Sequence, residues 1–377
     1  MTAVHLSFLL LRDFRNYERL ELSLGSGVAV FHGPNAAGKT NLLEACYYIS
    51  ALSSPRADRE ADLARWGCSA FLVAARLEGP ERKSVKIETV VSPSLKRKVL
   101  IDDAPAKRSD LNSLLPCVYF SPDDLYMVKR SAALRRKYLD SVLSRTDVSY
   151  SKELSMYLEG VERRNAALKR LRWDSSWRRT LESLDEVVLA SGSIVLCKRL
   201  SFVSRLMPLV EEMYSFVSGE RCGASYVSSI PDLPAAPGAD SSSTLPEVSR
   251  AFRAAMEAVR AEERERCVSL VGPHRDDLVI DTGGKPMRAY GSQGQQRSAA
   301  LALRIAEAKI LEERLGKKPL ILLDDVFSEL DENRRAKVLS LCDLGHQILI
   351  TSTDPVTGIQ REFDSFLVAE NKIVQRR

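Results

Sequence analysis

A glycine-rich loop near the start of the chain constrains the fold more than any other feature. Residues 33–40, Gly-Pro-Asn-Ala-Ala-Gly-Lys-Thr, match the phosphate-binding pattern G-x-x-x-x-G-K-[ST] at every fixed position. Residues 28–32 predict a buried strand before the loop, and residues 41–49, which contain no helix breaker, predict a helix after it. This order directs backbone N–H groups and a helix N-terminus at one anion. A chance glycine turn is disfavoured, because the predicted strand and helix on its two sides are those that a phosphate-binding loop requires.

The residue types in the loop assign a role to each position. Gly33 and Gly38 permit backbone angles and close approaches that a side chain would block. Lys39 supplies a cation for the outer phosphates, and the Thr40 hydroxyl can ligate Mg²⁺. We therefore predict ATP and Mg²⁺ as cofactors. The predicted ATP-binding residues are Gly33, Pro34, Asn35, Ala36, Ala37, Gly38, Lys39, Thr40 and Asn41.

Composition is that of an ordinary soluble protein. The 377 residues are 45% hydrophobic, and 55 basic against 50 acidic residues give a net charge of +5 that identifies no partner. The seven cysteines form no C-x-x-C pair, which favours reduced thiols over a disulfide or zinc framework. Residues 6–11 are too short to cross a membrane and no later segment reaches about 18 apolar residues, so we expect a cytoplasmic protein without membrane contact.

A second segment completes the predicted ATP site. Residues 319–323, Pro-Leu-Ile-Leu-Leu, predict a buried strand that ends in Asp324 and Asp325. We expect Asp324 to share the Mg²⁺ with Thr40, and Asp325 to act on the attacking water as a base or orienting group. Lys39, Asp324 and Asp325 are therefore the predicted catalytic residues.

A helix N-terminus lies before this acidic strand. Ser292 is a natural N-cap, Gly294 leaves the helix end open, and residues 297–315 are rich in Ala, Leu and Glu. The alternative is a plain helix cap. In this position, residues 291–296 (Gly-Ser-Gln-Gly-Gln-Gln) resemble the signature motif of ABC-class ATPases. The resemblance implies that Ser292, Gly294 and Gln295 act on ATP held by a second subunit.

The order of phosphate loop, helical insertion, signature and paired acids resembles the ABC-type heads of the SMC group. Further segments are similar to the RecF family of bacterial recombination mediators, and the similarity extends over nearly the whole chain. These segments are residues 11–17 (LRDFRNY), 120–125 (FSPDDL) with Val128-Lys129, 270–278 (LVGPHRDDL) and 324–331 (DDVFSELD).

The resemblance implies an α/β fold: an ABC-type P-loop ATPase head, with a mixed sheet plus helices, and a mainly helical second lobe without a long coiled coil. It implies an ATP-driven homodimer that binds duplex and gapped DNA in recombinational repair and replication restart, associated with the nucleoid. RecR, and indirectly RecO and RecA, are the implied partners, with the recombinase loaded on single-stranded gaps. Most ABC heads carry Glu where this chain has Asp325, and Gln293 replaces the first signature glycine. Because Asp325 reaches less far toward the attacking water than Glu would, we expect a weak ATPase.

The change from alternating to helical periodicity predicts two lobes. We expect residues 1–115 and 268–377 to form the ABC ATPase lobe and residues 116–267 to form the helical lobe. Residues 228–247, rich in Pro, Ser and Ala, predict a flexible loop, and residues 248–266 predict one further helix.

Cations of the helical lobe are candidate DNA contacts, with Trp173 and Trp177 among them for stacking. A solvated helix face explains the same charges, and the sheet edge at residues 96–98 is an alternative DNA surface. Arg12 is a candidate nucleotide contact, and a solvated turn explains it equally. The candidate DNA-binding residues are Arg135, Arg136, Lys137, Arg170 and Arg172.

Other classes of protein fit less well. A small-molecule P-loop kinase has no need of a signature helix. A GTPase requires N-K-x-D, and residues 371–374, Asn-Lys-Ile-Val, lack the Asp. An SMC-like head with a structural DNA-tethering role remains the main alternative, although it requires long heptad arms that this sequence lacks.

Overall fold

The computed structural model describes residues 4–92, 94–234, 245–327, 330–340, 345–356, 362–369 and 372–376. The chain divides into two compact units, of which the first is Met1–Asp124 with Arg304–Arg377 and the second is Leu125–Leu303. The strands are β1 (His5–Phe14), β2 (Tyr17–Ser23), β3 (Val28–His32), β4 (Ala70–Glu78), β5 (Lys83–Val90), β6 (Lys96–Ile101), β7 (Ala104–Pro105), β8 (Cys117–Phe120), β9 (Gly223–Val227), β10 (Asp277–Thr282), β11 (Lys285–Pro286), β12 (Leu320–Asp324), β13 (Ile348–Ser352), β14 (Phe363–Ala369) and β15 (Lys372–Arg376).

The helices alternate with the strands in the first unit and dominate the second. They are α1 (Lys39–Ala51), α2 (Arg108–Leu114), α3 (Leu125–Lys129), α4 (Ala132–Thr146), α5 (Val148–Leu171), α6 (Arg178–Ser218), α7 (Leu245–Ala258), α8 (Arg260–Arg266), α9 (Met287–Tyr290), α10 (Gln293–Leu315) and α11 (Glu332–Leu339).

The first unit contains a largely parallel sheet in the order β15-β14-β3-β13-β12-β8. Every residue of β3, β8, β12 and β13 is buried, as expected of parallel strands covered on both faces. Because β3 and β12 both pair in parallel with β13, their carboxyl ends lie at the same edge of the sheet. The predicted strands at 28–32 and 319–323 are confirmed.

The second sheet of this unit is antiparallel, in the order β2-β1-β4-β5-β6-β7. Alternate residues of β4 and β5 are buried, as expected of antiparallel strands with one face on the core. Helix α1 shares one hydrophobic core with both sheets: Leu42 packs in the cluster that contains Phe71 of β4 and Phe31 of β3. The helix that follows the phosphate loop is therefore fixed by the core of the whole unit.

The second unit is mainly helical, with a short antiparallel sheet in the order β11-β10-β9. Helices α5 and α6 pack together as a hairpin. Between them Arg164 donates to Asp185 at 2.6 Å and to Glu263 at 2.6 Å, and it is buried. Arg199 on α6 likewise donates to Asp140 on α4 at 2.7 Å. Ion pairs of buried arginines thus join the helices of this unit.

The predicted lobe boundaries, 115/116 and 267/268, are wrong in position. Strand β8 pairs with β12, so residues 116–124 belong to the first unit. Strand β10 pairs with β9, so residues 268–303 belong to the second. Both pairings join segments that are distant in sequence, and local periodicity carries no information about them.

The predictions of a flexible loop at 228–247 and of one helix at 248–266 also need correction. Ser229 donates its N–H to Asp276 at 2.8 Å, and α7 begins at Leu245, so both ends of the loop are ordered. Residues 235–244 lie outside the described residues. The single predicted helix is two, α7 and α8, separated at Val259.

The segment Ser175–Ser218, which consists mainly of α6, is long and apolar enough to cross a membrane by length and composition. Of its most apolar window, 67% is buried inside the protein. This burial is typical of a core helix, because the apolar side chains already have protein neighbours.

The ion pairs of Arg164 predict that its loss destabilises the protein more than the loss of an exposed arginine does. Arg164→Ala leaves the carboxylates of Asp185 and Glu263 without their buried cation, and we expect the free energy of unfolding to fall by about 3–5 kcal/mol. Urea unfolding measures this change. The control is Arg163→Ala, whose partner Glu159 is exposed, with an expected change of at most about 1 kcal/mol. Equal stability of the two variants would contradict this role of Arg164.

Candidate active site

The loop between β3 and α1 has the backbone geometry that its glycines predict. Gly33 has a φ of 146°, and a Cβ there would lie 2.2 Å from the carbonyl oxygen of Val368. Gly38, the N-cap of α1, has a φ of 107° and provides no side-chain cap. The first N–H groups of α1 therefore lack a side-chain acceptor at the positive end of the helix dipole, which is the arrangement that binds a phosphate.

The turn between β1 and β2 supports this loop. The Tyr17 hydroxyl donates to the carbonyl oxygen of Gly38 at 3.1 Å, and Asn41 donates its amide to Asn16 at 2.8 Å. Sequence reasoning quoted this turn as a family segment but missed the roles of Asn16 and Tyr17. It selected Arg12, which is exposed on β1. The nucleotide contacts of Arg12 and Asn41 stay predictions.

Lys39 is buried in the loop that it follows. Its Nζ donates to the carbonyl oxygens of Gly33 at 2.7 Å and Pro34 at 2.8 Å. Burial lowers the pKa of its ammonium group, and the nearby carboxylates of Asp325 and Asp324 partly offset that effect. A phosphate in the loop would give this desolvated cation a full anionic partner.

The Asp324 carboxylate accepts hydrogen bonds from three hydroxyl groups, which belong to three different elements. Thr40 of α1 donates to Oδ1 at 2.9 Å, and Thr351 of β13 donates to the same oxygen at 2.7 Å. Tyr119 of β8 donates to Oδ2 at 2.6 Å. The structure thus brings together Thr40 and Asp324, the two predicted metal ligands. Sequence reasoning missed Tyr119 and Thr351, because their contacts depend on the order of strands in the sheet.

Asp325 leaves the strand direction. Its φ of 51° is left-handed, a region that costs energy for a residue with a side chain. Its N–H donates to the carbonyl oxygen of Thr351 at 3.2 Å and to the Thr351 hydroxyl at 3.0 Å. The two adjacent acids therefore have different surroundings: Asp324 is held by hydroxyl donors, and Asp325 is half-buried and held through its backbone.

A buried acid also fixes α1 one turn after the loop. Glu44 is fully buried and accepts two hydrogen bonds from Arg15, at 2.8 and 2.7 Å. Ser54 donates to the same carboxylate, and a nitrogen of Arg56 lies 3.8 Å from it. Because this charge is paired, α1 is anchored to the turn between β1 and β2 as well as to the core.

The predicted signature residues lie at the N-terminus of α10 in the second unit. The N–H of Ser292 donates to the Gln295 side chain at 2.9 Å, and the Gln295 N–H donates to the Ser292 hydroxyl at 3.2 Å. This reciprocal pair is a capping box. Ser292 is exposed, so its helix end is accessible while the cap is in place. The action of Ser292, Gly294 and Gln295 on a second subunit's ATP stays a prediction.

The structure separates the candidate DNA-binding cations. Arg135 is buried and donates to both carboxylate oxygens of Asp277, at 2.7 and 2.8 Å, so its prediction as a phosphate contact is wrong. Arg136 donates to the carbonyl oxygen of Asp276 at 2.7 Å. Lys137, Arg170 and Arg172 are exposed. These three remain candidates.

The chain is similar to known proteins over nearly its whole length. The model of the RecF/RecN/SMC N-terminal domain matches residues 5–368. The DNA replication and repair protein RecF of Chloroflexus aurantiacus is 38% identical over 374 residues, 93% of this chain and 94% of that protein. RecF of Roseiflexus castenholzii is 38% identical over 381 residues, 94% and 93% of the two chains.

Solved structures show the same fold. The recombination mediator protein RecF-ATP in the RecFOR pathway matches with a TM-score of 0.86 and 27% identity, covering 100% of this chain and 98% of that one. The Smc head domain of Pyrococcus furiosus matches with a TM-score of 0.54, covering 99% and 96%; at 16% identity this likeness shows the fold alone.

A phosphate loop at the carboxyl edge of a parallel sheet, paired acids at the end of a second strand of that sheet, and a capped helix whose sequence resembles the ABC signature define a P-loop ATPase of the ABC class. Within that class, the chain belongs to the RecF family of DNA replication and repair proteins, which are SMC-like ATPases.

The contact between Tyr119 and Asp324 predicts a metal-dependent defect. Tyr119→Phe removes one of the three hydroxyl donors, so the carboxylate is less firmly oriented. We expect the Mg²⁺ concentration for half-maximal ATPase to rise roughly 10-fold, the lower end of the range for such supporting contacts. Nucleotide binding without metal should stay unchanged.

Thr351→Val removes a second hydroxyl donor, and Thr351→Ser, which keeps the hydroxyl, is its matched control. An unchanged Mg²⁺ requirement in both Tyr119→Phe and Thr351→Val would show that these hydroxyl groups do not orient the Asp324 carboxylate.

Proposed function

We propose that this protein is an ATP-dependent DNA-binding protein and a weak ATPase that dimerises on ATP. In recombinational repair and replication restart, it binds duplex and gapped DNA and helps to load the recombinase on single-stranded gaps. The convergence of Thr40 and Asp324 beside the phosphate loop, at 2.9 Å, carries the proposal. The names of the relatives, DNA replication and repair protein and recombination mediator, support it.

The residues beside the loop fit Mg²⁺ as the metal. Mg²⁺ prefers oxygen ligands, and in nucleotide sites it is held by one or two protein oxygens together with phosphates. The Thr40 hydroxyl and the Asp324 carboxylate supply such oxygens, and both are already oriented toward one another. When bound, Mg²⁺ neutralises charge on the phosphates and orients them.

Two side chains near the phosphates, those of Lys39 and Asp325, have different roles in hydrolysis. The Lys39 ammonium contacts the outer phosphates and offsets the charge that develops there. The Asp325 carboxylate orients the attacking water and accepts its proton. Asp325 is one methylene shorter than the Glu of most ABC heads, and its reach to the water is reduced accordingly. This shorter reach is our explanation for a weak ATPase.

The exposed N-terminus of α10 supports an ATP-dependent dimer. In our proposal, Ser292, Gly294 and Gln295 of one subunit close over ATP held by the phosphate loop of the other. A two-fold arrangement then builds each site from both chains. The capping box presents the Ser292 end of the helix as a fixed, solvent-facing surface.

The family relationship supports the remaining partners. Solved relatives belong to the RecFOR pathway, and we propose RecR as the direct partner, with RecO and RecA acting through it. A protein that acts on chromosomal gaps works in the cytoplasm at the nucleoid.

Two substitutions separate ATP binding from hydrolysis. We expect Lys39→Met to abolish productive ATP binding, because the phosphates lose their main side-chain cation. Asp325→Asn should keep ATP binding and lower hydrolysis by roughly 100-fold or more, because the amide cannot accept the proton. Fluorescent-nucleotide binding and phosphate release measure these changes.

Light scattering with ATP then tests dimerisation. Asp325→Asn should be trapped as a dimer, while Lys39→Met should remain a monomer. An Asp325→Asn protein that stays monomeric with ATP demonstrably bound would contradict the proposal.

A mixing experiment tests the action of Ser292 on the second subunit. Ser292→Arg should bind ATP as a monomer but fail to close the dimer or hydrolyse ATP. Mixed with Lys39→Met, it forms a heterodimer with one site built from an intact Lys39 and an intact Ser292. With random pairing and independent sites, the mixture should recover roughly a quarter of wild-type ATPase.

Ser204→Arg is the matched control, because Ser204 is exposed inside α6 and not at a helix end. It should retain full activity alone. The mixture of Lys39→Met and Ser292→Arg could show neither recovered ATPase nor crosslinking between the two variants. That result would mean that Ser292 acts only as a helix cap.

A further inference from the structure

The connection between α5 and α6 carries an exposed aromatic side chain among cations. We define the hairpin tip as residues 169–179. Trp173 is 85% exposed there. Asp174 is the only acidic residue of this segment. Its cations, all exposed, are Lys169, Arg170, Arg172, Arg178 and Arg179.

The single acid of the hairpin tip offsets only one of its five positive charges. The Asp174 carboxylate accepts the N–H of Ser176 at 2.9 Å and caps the short 3₁₀ turn that precedes α6. Arg170 lies over the ring of Trp177 at 4.4 Å, and Arg172 lies 5.6 Å from the ring centre of Trp173. Contacts with aromatic rings orient the guanidinium groups but leave their charge in place. The hairpin tip is therefore a positive surface.

The hairpin tip is supported by a small core of its own. Ala167, Leu168 and Leu181 are buried together, and Leu171, Trp177 and Leu184 pack against them. Trp177 therefore belongs to the supporting core, whereas Trp173, four residues earlier, does not. The difference in exposure shows that the fold uses one indole for packing and leaves the other in solvent.

A large exposed indole among cations fits one class of ligand best. Unpaired nucleotides offer a flat base for stacking and phosphates on both sides, and binding surfaces for single strands combine aromatic side chains with positive charge. A duplex hides the faces of its bases, so it would use the cations and not the indole. An acidic protein partner would also use the cations, and the test below distinguishes it.

We propose that the hairpin tip binds single-stranded DNA, with Trp173 stacked on an unpaired base and Arg170 and Arg172 on the adjacent phosphates. The inference rests on the proposed function in that DNA is the ligand. It goes further in assigning the single-stranded part of a gap to this surface, and it requires neither ATP nor a dimer.

Fluorescence anisotropy of the full-length protein tests the stacking contact. A labelled oligothymidylate and a duplex of the same length are titrated without ATP. Trp173→Ala should weaken binding of the oligothymidylate about 5- to 100-fold, the range expected for loss of one stacked base, and leave duplex binding unchanged. Trp173→Phe, which keeps an aromatic ring, should restore most of the affinity.

The chain offers a matched control in Trp66, which is 98% exposed in the first unit. Trp66→Ala should leave the affinity for oligothymidylate unchanged. Reversing both Arg170 and Arg172 to Glu should weaken binding and lower the salt dependence by roughly 0.7 units of log–log slope per lost phosphate contact. A bromodeoxyuridine-substituted oligonucleotide should crosslink to Trp173 on irradiation.

Several results would overturn the proposal: failure of the wild type to bind oligothymidylate, wild-type affinity of Trp173→Ala, or equal losses in Trp173→Ala and Trp66→Ala. If DNA binding is intact, an effect of Trp173→Ala confined to protein partners would assign the hairpin tip to a protein.

ATP-driven dimerisation, measured on the same Trp173→Ala sample, shows that the variant is folded and tests the proposed function separately. The wild type could fail to dimerise while Trp173→Ala still loses oligothymidylate binding. In that case the proposed function is wrong, and the proposal that the hairpin tip binds single-stranded DNA is supported.

Discussion

The candidate site depends on one buried carboxylate. Asp324 accepts hydrogen bonds from the hydroxyl groups of Thr40, Tyr119 and Thr351, which belong to α1, β8 and β13. These contacts hold the acidic strand end and the phosphate loop at a fixed separation before any ligand arrives. A site that is oriented in advance loses less free energy when phosphate and metal bind. The hydrophobic core shared by α1 and both sheets serves the same purpose, because it fixes the helix from which Thr40 projects.

Local sequence patterns were enough to predict the elements that carry the site. Apolar runs predicted β3 and β12, and the fixed positions of the phosphate loop predicted its left-handed glycines, which the structure shows at Gly33 and Gly38. These features are set by neighbours along the chain: burial of every residue in a parallel strand, and backbone angles that favour glycine. The pairing of Thr40 with Asp324 followed from the order of the motifs.

Contacts between distant segments could not be read from the same patterns. Arg135 looked like an exposed cation, yet its partner Asp277 lies 142 positions away, and Arg135 is buried. Tyr119 gave no signal, because a tyrosine in an apolar strand is typical of a core. The lobe boundaries moved for the same reason, since the pairings of β8 with β12 and of β9 with β10 are long-range. What sequence reasoning missed is the set of partners that only the folded chain brings together.

Binding of Mn²⁺ in place of Mg²⁺ tests the central claim, that Asp324 and the phosphate loop form one metal–nucleotide site. Electron paramagnetic resonance of the full-length protein should show Mn²⁺ bound tightly when a non-hydrolysable ATP analogue is present. In Asp324→Asn this signal should be lost, while the analogue still binds without metal through Lys39 and the loop. Mn²⁺ binding of wild-type strength in Asp324→Asn would contradict the account.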